Sequence, residues 1–267
     1  GELDVRKLEY AYSWYDFAQA AKNDHYYDPA SGTYKGGFVI NAEGEKEAIK
    51  GRSSFIMKKK VKVYPDTLCW LKDLTYAYNE PFVREYFSHI GYDNYPVVGV
   101  NWHQAQAFCN WRTQYFNSNA GVRIQAWRLP NEVEWEYAAR GGLSGAKYPW
   151  GGPYTRNKKG CFLANFKPLR GNYISDGGFT TVPVGTYEPN GFGLYDMAGN
   201  VAEWTGDAFD ESAYQVTHDL SPYYQITAKK SDNKILKRKV IRGGSWKDIA
   251  YFMQCGVRTY EYADSAR

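Results

Sequence analysis

What this chain has little of narrows its chemistry first. Four cysteines occur in 267 residues, Cys69, Cys109, Cys161 and Cys255, and none stands in a Cys-x-x-Cys pair. That spacing argues against a thiolate zinc site or a thioredoxin-type redox motif, and in an oxidising compartment four thiols allow three disulfide pairings. The four histidines, His25, His89, His103 and His218, lie far apart, without the i, i+4 pairing of a metalloprotease helix. No Gly-x-Ser-x-Gly elbow and no phosphate loop occurs, and no apolar run reaches the length of a membrane span. A formal net charge of +4 gives no strong pull toward nucleic acid or anionic lipid. Lys58-Lys-Lys60 and Lys237-Arg-Lys239 read as solvated faces, so no nucleic-acid partner is expected.

Aromatic residues are the abundant component, with 25 Tyr and 9 Trp. Tyrosine joins broad apolar contact to a polar tip, which serves a core of hydrogen-bonded rings and equally a surface used for assembly. A chain of this length buries about three quarters of the surface its unfolded form exposes, so one large domain over residues 1–267 is expected.

Periodicity sets out the elements. Leu8, Tyr10, Tyr12 and Trp14 alternate as in a half-buried strand, and Asp16 can cap a short helix over Phe17-Ala-Gln-Ala-Ala21. Turn signals from His25 to Arg52 predict hairpins or a surface excursion, and Val61 to Tyr64 predicts a strand. Thr67 to Tyr78 fits neither period cleanly and is expected as strand; Pro81 then opens a helix. Asn101 and Gln104 have capping-box spacing ahead of a helix burying Trp102, Ala105, Cys109 and Arg112. Asn131 and Glu134 repeat that device for a helix expected to bury Val133, Trp135, Tyr137 and Ala138 and to stop at Gly141-Gly142. Glu132, Glu134 and Glu136 are spaced to point apart, which disfavours paired acid and base work. Ala208 to Lys239 reads as a polar surface excursion, and Val240-Ile-Arg242 as a buried strand.

The stretch Gly191-Phe-Gly-Leu-Tyr-Asp-Met-Ala-Gly-Asn-Val-Ala-Glu-Trp-Thr205 carries the main chemical signal. Asp196 and Glu203 bracket a turn at Gly199, so carbonyls of Gly199 and Val201 can join two carboxylates around a hard cation such as calcium. The other reading is a glycine turn with solvated acids and a buried Trp204. Glu188-Pro-Asn190 matches a tripeptide of sugar-binding lectins, which on its own is weak evidence for a glycan site.

That stretch, Arg128-Leu-Pro-Asn-Glu-Val-Glu-Trp-Glu-Tyr-Ala-Ala-Arg-Gly-Gly142 and Arg242-Gly-Gly-Ser-Trp246 together resemble the formylglycine-generating, sulfatase-modifying factor domain family. The resemblance implies a compact α+β fold, related to C-type lectins and poor in regular secondary structure. It covers residues 96–267, with residues 1–95 a family-specific elaboration and a final strand cut short after Arg267. It implies structural calcium at Asp196, Gly199, Val201 and Glu203, and at a second site of Asn165, Phe166 and Asp176, completed by a carbonyl of Gly178 or Phe179. An Asx-turn network without metal is the other reading of that second loop.

Within the family, Tyr64-Pro-Asp-Thr-Leu68, Tyr76-Ala-Tyr-Asn-Glu-Pro81, Tyr95-Pro-Val-Val-Gly99 and Val257-Arg-Thr-Tyr-Glu-Tyr262 are similar to the gliding-motility and type IX secretion lipoproteins of the GldK/PorK type. This likeness implies a subunit of a periplasmic ring at the inner face of the outer membrane, bound to copies of itself and to a GldN/PorN-type partner, with an N-terminal lipid anchor lying outside this chain. The related oxidases hold copper(I) on two cysteines just after the Gly-Gly-Ser-aromatic motif. Here that run is Lys247-Asp-Ile-Ala-Tyr-Phe-Met-Gln254, without a thiol. The expectation is therefore no copper and no catalysis. A catalytically altered oxidase working near Trp246 and Asp248, or a peptide- or glycan-binding module, is the alternative.

Overall fold

In the computed structural model, residues 4–73, 79–168, 172–218, 222–229 and 231–266 are described. They fall into two compact units.

The smaller unit comprises Gly1–Tyr64, Gln106–Trp127 and Ile226–Lys237. Its first strand, β1 (Glu9–Tyr15), follows the predicted alternation through Tyr10 and buried Tyr12, but Trp14, expected on the same face, is 38% exposed. Asp16 then caps α1 (Phe17–Lys22), its carboxylate accepting the Gln19 N–H. Two hairpins fill the turn-rich segment: β2 (Tyr27–Asp28) with β3 (Thr33–Tyr34), and β4 (Phe38–Ile40) with β5 (Lys46–Ala48). The next strand, β6 (Ile56–Lys62), starts five residues before the expected Val61 and pairs antiparallel with β1 from Tyr15↔Ile56 to Glu9↔Lys62. Alternate Met57 and Val61 face inward, while Lys58, Lys60 and Lys62 face solvent. Val39, Ile49, Phe55 and Met57 form one apolar core of this unit; Tyr12, Val61 and Ala107 form another.

The larger unit comprises Pro65–Ala105, Arg128–Gln225 and Arg238–Arg267. Its opening corrects the sequence reading, because α2 (Cys69–Asp73) is helix where strand is expected; Leu74 to Tyr78 lie outside the described residues. Packing decides the ambiguous stretch: the helix seats Cys69 and Trp70 in the core with Tyr86, Val98 and Trp246. Then come α3 (Glu80–Glu85), with Pro81 in its first turn, and the start of α4 (Trp102–Asn119), which from Gln106 onward belongs to the smaller unit. The Asn101–Gln104 capping box forms, each backbone N–H meeting the other residue's side-chain oxygen, at 2.8 and 2.9 Å. Along α4 the fully buried residue is Ala107, and Arg112 of the expected inner face is exposed.

The next helix, α5 (Glu132–Arg140), has the full Asn131–Glu134 capping box and ends at left-handed Gly141. Its inner face is Glu132, Trp135 and Ala139, whereas Val133 and Tyr137, expected inside, are 43% and 68% exposed. A three-stranded antiparallel sheet closes the unit: β7 (Glu203–Ala208), β8 (Arg238–Arg242) and β9 (Thr259–Tyr262), in that order, with α6 (Ala213–Val216) in the excursion after β7. The described residues between Tyr148 and Tyr187 are mostly irregular.

The inward turn of Glu132 has an electrostatic cause. Arg242, wholly buried, donates to Glu132 at 2.8 Å and to Glu136 at 2.7 Å, and Arg258 adds a two-point contact to Glu132 at 2.7 and 2.8 Å. Glu132 and Glu136 are thus one turn apart on the same face. Glu134 faces the other way, to Arg128 at 2.6 Å. The expectation that the three acids diverge fails for the outer two.

Candidate functional site

The loop before β7 is built on left-handed backbone. Asp196, Gly199 and Asn200 have φ of 54°, 78° and 63°. At Gly199 a Cβ would stand 2.2 Å from the Asn165 carbonyl oxygen, so no side chain fits. The sharp turn puts Asp196 and Glu203 within electrostatic reach of each other. One Asp196 oxygen, Oδ2, accepts the Gly185 N–H at 2.8 Å; the other, Oδ1, is buried with no hydrogen-bond partner among the described residues. Glu203 Oε2 accepts the Trp135 indole N–H at 2.7 Å. Desolvation pushes the Glu203 carboxyl above its usual range, and the Asp196 charge adds to that shift. A buried carboxylate oxygen without a donor, beside a second carboxylate that resists ionising, is an arrangement a divalent cation relieves. The all-oxygen donor set suits calcium. Val201 sends its side chain into the Trp70–Trp246 core, leaving only its backbone for the loop.

Asn165, Phe166 and Asp176 also come together. Asp176 accepts the Phe166 N–H on Oδ2 at 2.6 Å and the Gly178 N–H on Oδ1 at 3.1 Å, and burial pushes its carboxyl up. Tyr187 donates its hydroxyl to the Asp176 carbonyl at 2.9 Å. Asn165 is buried and donates to the Thr180 carbonyl at 2.8 Å. The Phe166 ring packs in the core with Tyr148 and Met253. This loop fits a cation less well than the first, since its single carboxylate is already engaged at both oxygens. Among the described residues no group of three His, Cys, Asp or Glu forms a metal cluster.

Asn200 joins the two loops and was not singled out from the sequence. Its backbone N–H meets the Asn165 carbonyl at 2.8 Å, and its side chain clamps Val182 by Oδ1 at 3.0 Å and Nδ2 at 3.1 Å. Its own carbonyl accepts the Trp246 N–H at 3.0 Å. Asn beside Gly in a turn was the available signal, since short polar side chains tolerate the left-handed region.

Trp246 belongs to a cavity of about 210 Å³ in the larger unit, walled by Trp70, Trp204, Trp246, Cys69, Ser245 and Asp248 among others. Ser245 donates both its N–H, at 3.0 Å, and its hydroxyl, at 2.7 Å, to Asp248 Oδ2. The Trp70 indole N–H is buried without a partner among the described residues. Cys69 is the one thiol among the described lining residues, and the sequence reading passed over it because it lies far from the Gly-Gly-Ser-Trp motif. Copper(I) selects soft thiolates, and a wall offering one thiol, with lysine and aspartate at 247 and 248, does not fit it.

Asn190 and His103 are both engaged by the fold. Asn190 donates to the Ala138 and Ala139 carbonyls at the end of α5 and accepts the Phe192 and Leu194 N–H groups, so this side chain of the lectin-like tripeptide is consumed by the fold. His103 sits 3.3 Å from Asp264 at the start of α4.

The family profile described as "Sulfatase-modifying factor enzyme 1-like domain" matches residues 15–267. The formylglycine-generating enzyme of Streptomyces coelicolor is 38% identical over 157 residues, which are 58% of this chain and 43% of that protein. The "Inactive C-alpha-formylglycine-generating enzyme 2" of Bos taurus is 36% identical over 157 residues, 58% of this chain and 40% of that protein. The matched stretch thus spans less than half the length of either relative. Among solved structures, that of PvdO from Pseudomonas aeruginosa is 26% identical with a TM-score of 0.49, covering 65% of this chain and 58% of that one.

These relatives correct the expectation of a chain without enzymatic activity. At 38% identity the Streptomyces protein is a named enzyme, although the family also holds inactive members. The expectation rested on one window without thiols, residues 247–254, whereas the fold assembles the cavity from several segments and brings in Cys69 from α2.

Proposed function

The chain belongs to the sulfatase-modifying factor enzyme 1-like family, and on that premise we propose that it is an enzyme of the formylglycine-generating type with altered chemistry, working in the Trp246 cavity. The observation that carries this reading is the cavity itself, which keeps a tryptophan wall and a fixed Ser245–Asp248 pair around a single thiol. Its volume of about 210 Å³ suits one side chain of a peptide substrate. Trp70, Trp204 and Trp246 give the cavity an apolar aromatic wall. The reaction class is oxygen-dependent oxidation of a peptide thiol, the family's chemistry, reached without a copper-holding thiol pair. Structural calcium at Asp196 and Glu203, with the backbone of Gly199 and Val201, holds the neighbouring loop; Asn165, Phe166 and Asp176 form a second, weaker site. The test is oxygen uptake with a cysteine-containing peptide, the product read by mass spectrometry, in the wild type and in Cys69→Ser. Turnover lost in C69S supports the reading; a protein that neither binds nor converts any thiol peptide sinks it.

A second reading concerns assembly. On α4, Phe108, Trp111 and Tyr115 are 54%, 43% and 58% exposed, with ring centroids 5.7 and 5.3 Å apart along the helix. Such an aromatic ladder favours a docking role, as in a type IX secretion and gliding ring beneath the outer membrane, built from copies of this chain, anchored by lipid and joined to a GldN/PorN-type partner. Native mass spectrometry of the full-length protein with that partner tests it, and a persistent monomer that ignores the partner counts against it.

A further inference from the structure

We propose that Asn200 is a positioning residue that couples the two acidic loops, so that a divalent cation held by one raises the affinity of the other and fixes the Trp246 wall of the cavity. The inference rests on the calcium reading above and goes beyond it, from two independent sites to one linked unit.

The connection is direct. Asn200 lies between Gly199 and Val201, the two residues whose carbonyls serve the first loop, so any reorientation of those peptides moves it. Its N–H holds the Asn165 carbonyl at 2.8 Å, and the Asn165 side-chain amide returns toward Asn200 Oδ1 at 3.4 Å. The same Oδ1 takes the Val182 N–H, while Asn165 Nδ2 takes the Thr180 carbonyl, so the segment after Gly178 is pinned from both asparagines. Slack is small, because the backbone of Gly199 packs against the Asn165 carbonyl and Gly178 has Val182 and Asn165 at its open face. Both asparagines are 1% exposed, so water does not replace a lost partner.

Cation binding at Asp196 and Glu203 orders the Gly199–Glu203 backbone. Through Asn200 that order is already present in the Asn165 carbonyl and in the Val182 backbone that follows the second loop. A cation arriving there meets a loop whose conformational entropy has been lost beforehand, which is positive coupling without a new contact. Linkage makes the effect reciprocal. The third arm is the Trp246 N–H on the Asn200 carbonyl at 3.0 Å, reinforced by the Gly199 N–H on the Gly243 carbonyl at 2.9 Å. The cavity wall therefore hangs from the same peptide that the cation orders.

The experiment is a calcium titration of the full chain followed by amide hydrogen exchange, with Asn200→Gly and Asn200→Asp alongside the wild type. Glycine keeps the left-handed backbone at φ 63° while deleting the side-chain clamp; aspartate keeps the acceptor for Val182 and loses the donor. In the wild type, protection of segments 165–182, 199–203 and 243–248 should rise at one common calcium concentration. In N200G the midpoints of the first two segments should separate by about five- to a hundredfold, the span of ordinary coupling, with N200D between. Separate midpoints in the wild type, or a common midpoint that survives in N200G, overturn the coupling while leaving two calcium sites. If N200G does not fold, the wild-type midpoints and N200D decide alone. Absence of any calcium-induced protection removes the sites and the coupling together.

Discussion

Arg242 and Glu132 meet at 2.8 Å with side-chain exposures of 0% and 5%, the most buried ion pair of the chain's described residues. Arg258, Glu136 and Arg140 extend the pair to a five-residue cluster, and the Cys255 carbonyl accepts from Arg242. Burying such charges is costly unless each is matched, so removing one partner is expected to cost more than the pair contributes. Glu132→Gln should lower the unfolding free energy by roughly 3–5 kcal/mol in urea titrations. A loss below 1 kcal/mol would show that water reaches the cluster.

Gly199→Ala tests the tightest approach in the first loop. A methyl group there stands 2.2 Å from the Asn165 carbonyl at a φ of 78°, so strain and collision add. The expected destabilisation is about 1–3 kcal/mol or more, with calcium affinity falling alongside. Thermal unfolding with and without calcium reads both.

Chelator should lower the wild-type melting temperature, because a ligand bound only by the folded state stabilises it by mass action. Glu203→Gln should shrink that difference. The pH dependence has a definite sign. Burial raises the folded Glu203 carboxyl above its unfolded range, so the calcium-free protein is favoured by the protonated form and loses that contribution as pH rises through the folded value. Calcium needs the carboxylate, and its stabilising effect should grow over the same interval. An unchanged melting point across all conditions would mean the loops hold no cation.

Glu134 behaves in the opposite sense. Its hydrogen bonds to Arg128 push its carboxyl from 4.5 down to about 2, and the Asn131 N–H of the capping box assists. The contribution is fully present above pH 4.5 and is lost as pH falls toward about 2. Since the side chain is 45% exposed, solvent screening keeps the ion pair near 0.5 kcal/mol. Melting curves of Glu134→Gln and wild type should differ by a constant small amount above pH 5 and converge in acid; a difference that grows in acid would contradict this.

What was legible in the sequence was local. Asp16, Asn101 and Asn131 cap the helices their spacing announces, because a capping side chain acts on amides two or three residues away. Asp196 and Glu203, which the motif brackets around Gly199, come within electrostatic reach of each other. What could not be seen is what distant segments decide. Val133 and Glu132 exchange inside for outside because two arginines, 110 and 126 residues further on, reach the carboxylate. Residues 69–73 form helix instead of strand because Trp70 stacks against Phe82 and Trp246. Cys69 enters the cavity, and Asn200 ties two loops, only once the chain has closed on itself.

The β1–β6 ribbon has a consequence for handling this protein. Among the described residues it is a pair of strands without further neighbours, so each carries a row of amide and carbonyl groups able to recruit a foreign strand. Lys58, Lys60 and Lys62 line the outer face of β6 and make such recruitment electrostatically unfavourable between like molecules. Reagents that neutralise lysines, amine-reactive dyes and cross-linkers included, would remove this charge and leave the strand edge more open to pairing between copies.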